Sequence, residues 1–235
     1  MAEGAGEFIE TERKYDAAAD FTLPDLAGLD AVAAVTGPRT YRLRAVYFDT
    51  PDLSLVAARI TLRRRTGGTD AGWHLKLPAG VDSRREVHAP LGRGAYRVPA
   101  SLAVLVARWA GGRPLRPIAR LATTRRVRWL ADRDGQVLAE VADDLVSGSL
   151  PGPGPAGETG TGTSGPRDPG LPEWREVSRW REVEVELGAG PRGLLDSVGD
   201  VLQRAGAAPS SSASKLSRLL ASAAGPAGTP ASGNR

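Results

Sequence analysis

The chain has 235 residues, 41% of them hydrophobic, a size that suits one β-barrel or β-sandwich domain with a packed core. It has no cysteine and only two histidines, His74 and His88, which excludes disulfides, thiolate metal sites and cysteine nucleophiles and makes a multi-histidine zinc site unexpected. The net charge of +4, with 31 Lys and Arg unevenly placed, allows a site for a polyanion, and any metal site must be built from carboxylates, which favours magnesium or manganese.

In chain order, Glu7 to Tyr15 reads as a strand and Leu23 to Val35 as a helix, with apolar residues at helical spacing and Pro24-Asp25 at its start. Tyr41 to Thr50 reads as a strand, Pro51-Asp52 as a turn and Leu53 to Ala58 as one helical turn. Strands follow at Ile60 to Thr66, Gly72 to Pro78 and Ser83 to Pro90, separated by Gly67-Gly68 and Ala79-Gly80. Ser101 to Ala110 is an amphipathic helix ended by Gly111-Gly112. Ile118 to Ala131 and Gln136 to Ser147 form a hairpin about Asp134-Gly135. Leu150 to Leu171 is rich in Gly, Pro, Ser and Thr, so residues 150–172 read as a flexible loop. Trp174 to Leu187 is the last strand, Pro191 to Ala205 a helix and Ser214 to Ala221 a short one.

Residues 1–221 thus read as a single domain of about eight strands without internal repeats, and 222–235 as a disordered tail. No leader and no run near the roughly 18 apolar residues of a membrane span is present, so a soluble, cytoplasmic protein is expected.

Side chains at i, i+2 and i+4 of a strand share a face. Glu10, Glu12 and Lys14 point one way, as do Arg63 and Arg65, His74 and Lys76, and Arg84, Glu86 and His88. The pattern continues with Arg126 and Arg128, Glu140 and Asp144, and Glu182, Glu184 and Glu186. On any one strand this is the ordinary wet face of an antiparallel sheet. Three glutamates in a row on one face repel one another, and the acidic clusters lie on the first and last strands, which closure of a barrel brings together. If the sheet closes with these faces inward, a highly charged ligand with metal ions satisfies both signs of charge.

These residues resemble the CYTH superfamily, the triphosphate tunnel metalloenzymes. Its Glu-x-Glu-x-Lys signature is Glu10-Thr11-Glu12-Arg13-Lys14. Tyr47 to Pro51, Leu62 to Arg65, Trp73 to Pro78, Arg84 to Glu86, Arg126 to Trp129, Glu140 to Asp144, Glu182 to Glu186 and Ser214-Lys215 resemble its later motifs in order. The resemblance covers about residues 7 to 220. It implies a mainly β (α+β) fold, an eight-stranded antiparallel closed β-barrel with peripheral helices.

By the same resemblance Glu10, Glu12, Asp144, Glu182, Glu184 and Glu186 are the metal set for Mg2+ or Mn2+. Lys14, Arg63, Arg65, Lys76, Arg84, Arg126 and Lys215 are the phosphate-binding set, and Glu10, Glu12, Lys14 and Glu184 the catalytic core. Arg128, Glu86 and Glu140 support the lumen. The implied activity is metal-dependent hydrolysis of a small-molecule triphosphate. Inorganic triphosphate or short polyphosphate comes first and thiamine triphosphate next, because Tyr47 to Pro78 looks like the animal thiamine triphosphatases. A non-catalytic polyphosphate or nucleotide binding module and a class IV-type adenylate cyclase are the alternatives. Trp73, Tyr47 and Phe48 read as wall packing before site residues. Arg113, Arg116 and Arg120 read as solvating a loop, so neither nucleic acid nor membrane is an expected partner; the oligomeric state is left open.

Overall fold

The structure is a computed structural model that describes residues 7–80, 83–92, 96–152 and 172–224. Eight strands form a ring: β1 (Glu7–Ala17), β2 (Ala34–Asp49), β3 (Thr61–Thr66), β4 (Gly72–Pro78), β5 (Ser83–Ala89), β6 (Arg116–Ala131), β7 (Val137–Pro151) and β8 (Trp174–Leu187). Around the ring the order is β1-β5-β4-β3-β2-β6-β7-β8 and back to β1, with every pairing antiparallel. β1 closes it alone. Its first half pairs with β5, Glu10 opposite Arg84, and its second half with β8, Glu12 opposite Glu186 and Lys14 opposite Glu184. A two-residue strand, β9 (Ala208–Pro209), adds to β1.

Alternation gives most strands an apolar outer face that helices cover. α1 (Ser54–Ala57) and α2 (Ala100–Ala110) cover Phe48, Leu62, Trp73, Leu75 and Val87. α3 (Gly193–Arg204) covers Tyr15, Val141, Val183 and Val185. α4 (Lys215–Ala224) does something different. Its Leu216 and Leu219 pack among Ala45, Tyr47, Leu121 and Val146, residues of the inward face, and so stopper one end of the ring. Gly148 makes room for it, because a Cβ there would collide with the Leu219 side chain.

The Tyr47-Phe48-Asp49-Thr50-Pro51 segment is structural. Asp49 is fully buried, and its carboxylate accepts hydrogen bonds from the backbone N–H groups of Thr50 (2.6 Å), Leu55 (2.9 Å) and Val56 (2.9 Å), capping the first turn after the strand.

Three expectations need correction. Residues 23–33 are turns, not a helix; Leu26 and Val32 are buried in the core, but Ala31 takes a left-handed conformation, so tertiary burial met the apolar spacing without helical backbone. β7 runs through Leu150 and Pro151, paired with Arg175 and Trp174 of β8, where a loop was expected; of that stretch, 153–171 lie outside the described residues. α4 extends to Ala224, and the expected tail from 225 onward lies outside the described residues. No helix among the described residues is long and apolar enough to cross a membrane.

Candidate active site

The inward faces enclose a cavity of about 230 Å³. An acidic arc on three adjacent strands lines it, Glu10 and Glu12 on β1, Glu184 and Glu186 on β8 and Glu140 on β7, while Glu86 on β5 and Asp70 between β3 and β4 line it apart from this arc. Facing this arc are Arg63 and Arg65 on β3, Lys76 on β4, Arg84 on β5 and Arg125 on β6. Ring order sorts the charges, because β7, β8 and β1 are neighbours and the basic strands lie on the other side. Lys14 and Lys215 stand within the acidic arc. Lys14 Nζ is 2.8 Å from Glu12 and 2.5 Å from Glu184.

Several lumen cations are engaged with carboxylates. Lys76 bonds Glu10 and lies 3.4 Å from Glu86. Arg125 donates to both oxygens of Asp144, at 2.9 and 2.7 Å, and to Glu184 at 2.5 Å. At the stoppered end, Asp144, Glu182 and Glu184 converge with their ligating oxygens within 4.8 Å of one another. The ammonium of Lys215 sits among them at 3.0, 2.6 and 2.8 Å. It stands where a bound cation would.

These contacts divide the carboxylates by proton affinity. Burial, with Glu10, Glu140 and Glu12 close by, pushes Glu186 up to about 8. Burial also raises Glu10, helped by Glu12 and Glu86 and opposed by Lys76. For Glu12, burial is outweighed by Lys14 and Lys76, which hold it below the usual carboxylate range. Against the same burial, Lys14, Lys215 and Arg125 hold Glu184 far down, and Arg125 and Lys215 lower Asp144. Burial and the positive neighbours Arg63 and Arg125 bring Arg65 down to about 9. Arg63 is held above its ordinary value despite burial, by Tyr47 and Glu86.

The donor set fits a hard divalent ion, since every site oxygen in the acidic arc is a carboxylate. Glu186 is crowded by Glu10, Glu140 and Glu12, and the Asp144 cluster is filled by a lysine. Both are places where a cation lowers the energy of crowded negative charge.

Of the residues expected from sequence, Glu10, Glu12, Lys14, Arg63, Arg65, Lys76, Arg84, Glu184, Glu186 and Lys215 line one cavity, with Asp144 and Glu182 buried beside it. Arg126 does not join them. It and Arg128 lie on the outer face, in a surface hollow with Phe21, Asp143 and Arg181, and Arg125 occupies the inward position. The Asp134-Gly135 turn held the missed signal. Counting back from that hairpin sets Arg125 opposite Asp144, and Arg126 opposite Asp143. Trp73 is wall packing, 4.9 Å from the Phe48 ring centre. Tyr47 is both buried and cavity-lining, its hydroxyl 3.5 Å from Arg63. The cavity-lining aromatics that sequence reasoning passed over are Tyr41 and Trp129; the latter donates its indole N–H to Glu140 at 3.0 Å.

Comparison with known proteins agrees with this architecture. The family described as CYTH domain matches residues 9–220. An uncharacterized protein of Mycobacterium tuberculosis is 42% identical over 216 residues, which is 90% of this chain but 40% of that protein, so the chain spans about two fifths of the length of that curated relative. Human thiamine-triphosphatase is 41% identical over 85 residues, 34% of this chain and 31% of the human protein. Among solved structures, a Bacillus halodurans chain described as a candidate adenylate cyclase superposes with a TM-score of 0.57 at 17% identity, covering 91% of this chain and 98% of that one, a likeness of fold.

Proposed function

The chain belongs to the CYTH domain family, and on that premise we propose that it hydrolyses a small-molecule triphosphate inside the ring with the help of Mg2+ or Mn2+. The observation that carries this reading is a contiguous carboxylate arc facing a cationic arc across one enclosed cavity. At about 230 Å³ the cavity is smaller than the roughly 300–1,000 Å³ typical of organic-ligand pockets. That favours a compact polyanion, so inorganic triphosphate or a short polyphosphate is the leading substrate. Thiamine triphosphate is second, on the partial likeness to human thiamine-triphosphatase, with Tyr41 and Trp129 as the rings available for stacking.

Phosphoryl transfer depends on positioning and charge neutralisation more than on covalent catalysis. Arg63, Arg65, Arg84 and Arg125 would hold phosphate oxygens, the guanidinium fork matching them with paired hydrogen bonds. Lys14 and Lys215, which bridge the acidic arc, would turn from carboxylate to phosphate when substrate enters. Glu12, Glu184 and Asp144, held low by their cationic neighbours, suit a divalent ion; Glu182 completes that cluster, and Glu10 and Glu186 join once ionised. When bound, such an ion neutralises phosphate charge and makes water more acidic.

The test is to give the purified protein triphosphate, thiamine triphosphate or ATP, each with Mg2+ or Mn2+, and to measure phosphate, pyrophosphate and cyclic AMP. Phosphate release from inorganic triphosphate should be fastest. Tight binding with no release from any substrate would mean a binding module, and cyclic AMP from ATP would mean a cyclase.

A further inference from the structure

His74 on β4 and His88 on β5 are direct cross-strand partners, their ring centres 4.1 Å apart. Glu86 lies between the rings. Its Oε1 is 2.8 Å from His74 Nδ1 and 2.8 Å from His88 Nε2. The second His74 nitrogen, Nε2, is 2.9 Å from the backbone carbonyl oxygen of Asp70. A carbonyl only accepts, so Nε2 carries the hydrogen there. Nδ1, the other ring nitrogen, points at a carboxylate oxygen, a pairing that either a proton or a metal ion can bridge.

We propose that His74 Nδ1, Glu86 Oε1 and His88 Nε2 form a site for a borderline divalent cation such as Zn2+, separate from the carboxylate arc. Two imidazoles and one carboxylate with an open fourth position form a known three-ligand zinc set, and imidazole favours zinc over magnesium. The outer support is present as well. A metal-bound histidine donates its other ring N–H to a carbonyl or carboxylate, as His74 does to Asp70.

The ligating atoms of the three residues lie within 4.8 Å of one another. Tetrahedral bonds of about 2.0–2.1 Å need ligand atoms about 3.3 Å apart, so the contacts to Glu86 would open by roughly half an ångström. Lys76 approaches the other Glu86 oxygen, Oε2, at 3.4 Å and leaves Oε1 to the ion. The open position faces the lumen, since Glu86 and His88 both line it. The two classes of ion therefore sort by donor chemistry, carboxylate oxygens alone on β7, β8 and β1, and imidazole nitrogens with one carboxylate on β4 and β5.

The chain has only two histidines, so the imidazole nitrogens of the tag-free, 15N-labelled protein report this site without interference. With saturating Mg2+ present, one equivalent of Zn2+ should shift His74 Nδ1 and His88 Nε2 together. Co2+ in place of Zn2+ should give the visible absorption of a tetrahedral centre, lost in His88→Ala and retained in Glu12→Gln. Zinc that moves neither ring, or only one, overturns the proposal, as does a Co2+ band that survives His88→Ala. Should His88→Ala fail to fold, the spectrum of the unaltered protein decides alone. None of these readouts depends on triphosphate hydrolysis.

Discussion

Arg125 grips Asp144 with two parallel hydrogen bonds, Nε to Oδ1 at 2.9 Å and Nη2 to Oδ2 at 2.7 Å, and Asp144 has no exposed surface. Removing one partner of such a pair leaves the other charge buried and alone, a cost of about 3–5 kcal/mol. Arg125→Leu should therefore lower the denaturant midpoint sharply and abolish turnover. Arg126→Ala, on the outer face, should stay within about 0.5 kcal/mol of the parent. Equal losses from the two variants, measured by urea unfolding, would reverse the assignment of which arginine faces inward.

That pair also shows what was legible beforehand. Eight strands could be read because turn residues punctuate them and charges alternate with valines and leucines along most of them. β6 defeated the alternation rule. Val127 stands between Arg126 and Arg128, and it is the valine that is buried facing the lumen beside Trp129, while the two arginines occupy the outer face. With arginines at 125, 126 and 128, composition alone does not reveal the phase, and only the hairpin register does. The stopper was illegible for another reason. α4 reads as an ordinary amphipathic helix, and nothing local says that its apolar face enters a ring instead of covering one. The turns at 23–33 were misread because spacing by three or four residues records burial, and burial does not require helical backbone.

Lys215 holds three carboxylates together. Lys215→Gln removes that internal cation. Calorimetry should show Mg2+ binding more tightly to the substrate-free variant than to the parent, while KM for triphosphate rises. Weaker Mg2+ binding in the variant would show that the lysine does not compete with the ion.

Glu186 has its pKa raised from 4.5 to about 8. The folded state thus binds a proton that the unfolded chain releases at lower pH, and this contribution to stability is fully present below pH 4.5 and lost as pH rises through about 8. The melting temperature of the metal-free protein should fall over that interval, and Glu186→Gln should flatten the fall. Metal affinity runs the other way. An ion must displace the proton, so Mg2+ should bind more tightly at pH 8.5 than at pH 6.5, with about one proton released per ion at neutral pH.

Asp49 takes backbone hydrogen bonds from residues after the strand and touches none of the cavity groups. Asp49→Ala should cost about 1.5–3 kcal/mol, the usual worth of hydrogen bonds to a charged group. KM and the pH profile measured below the unfolding transition should match the parent, a split that separates support of the fold from chemistry.

Leu219 is fully buried where α4 meets the inward face. Leu219→Ala should cost about 2–5 kcal/mol. Leu219→Asp should dislodge the helix and withdraw Lys215 with it, seen as lost turnover together with easier proteolysis of the C-terminal segment. Full activity in Leu219→Asp would show that the helix is not needed to present Lys215.

Because β1 alone joins β5 to β8, Glu12 meets Glu186 only after nearly the whole intervening chain has been arranged. Loop closure over such a separation is slow, and partners far apart in sequence set folding rates. The assembling molecule therefore passes through states in which a half-built sheet has two unpaired edges, the condition under which chains pair with their neighbours instead of with themselves. The carboxylate arc exists in none of those states. An ion or polyanion that fits the lumen would reward only the completed circle and would act during assembly as a selective clasp.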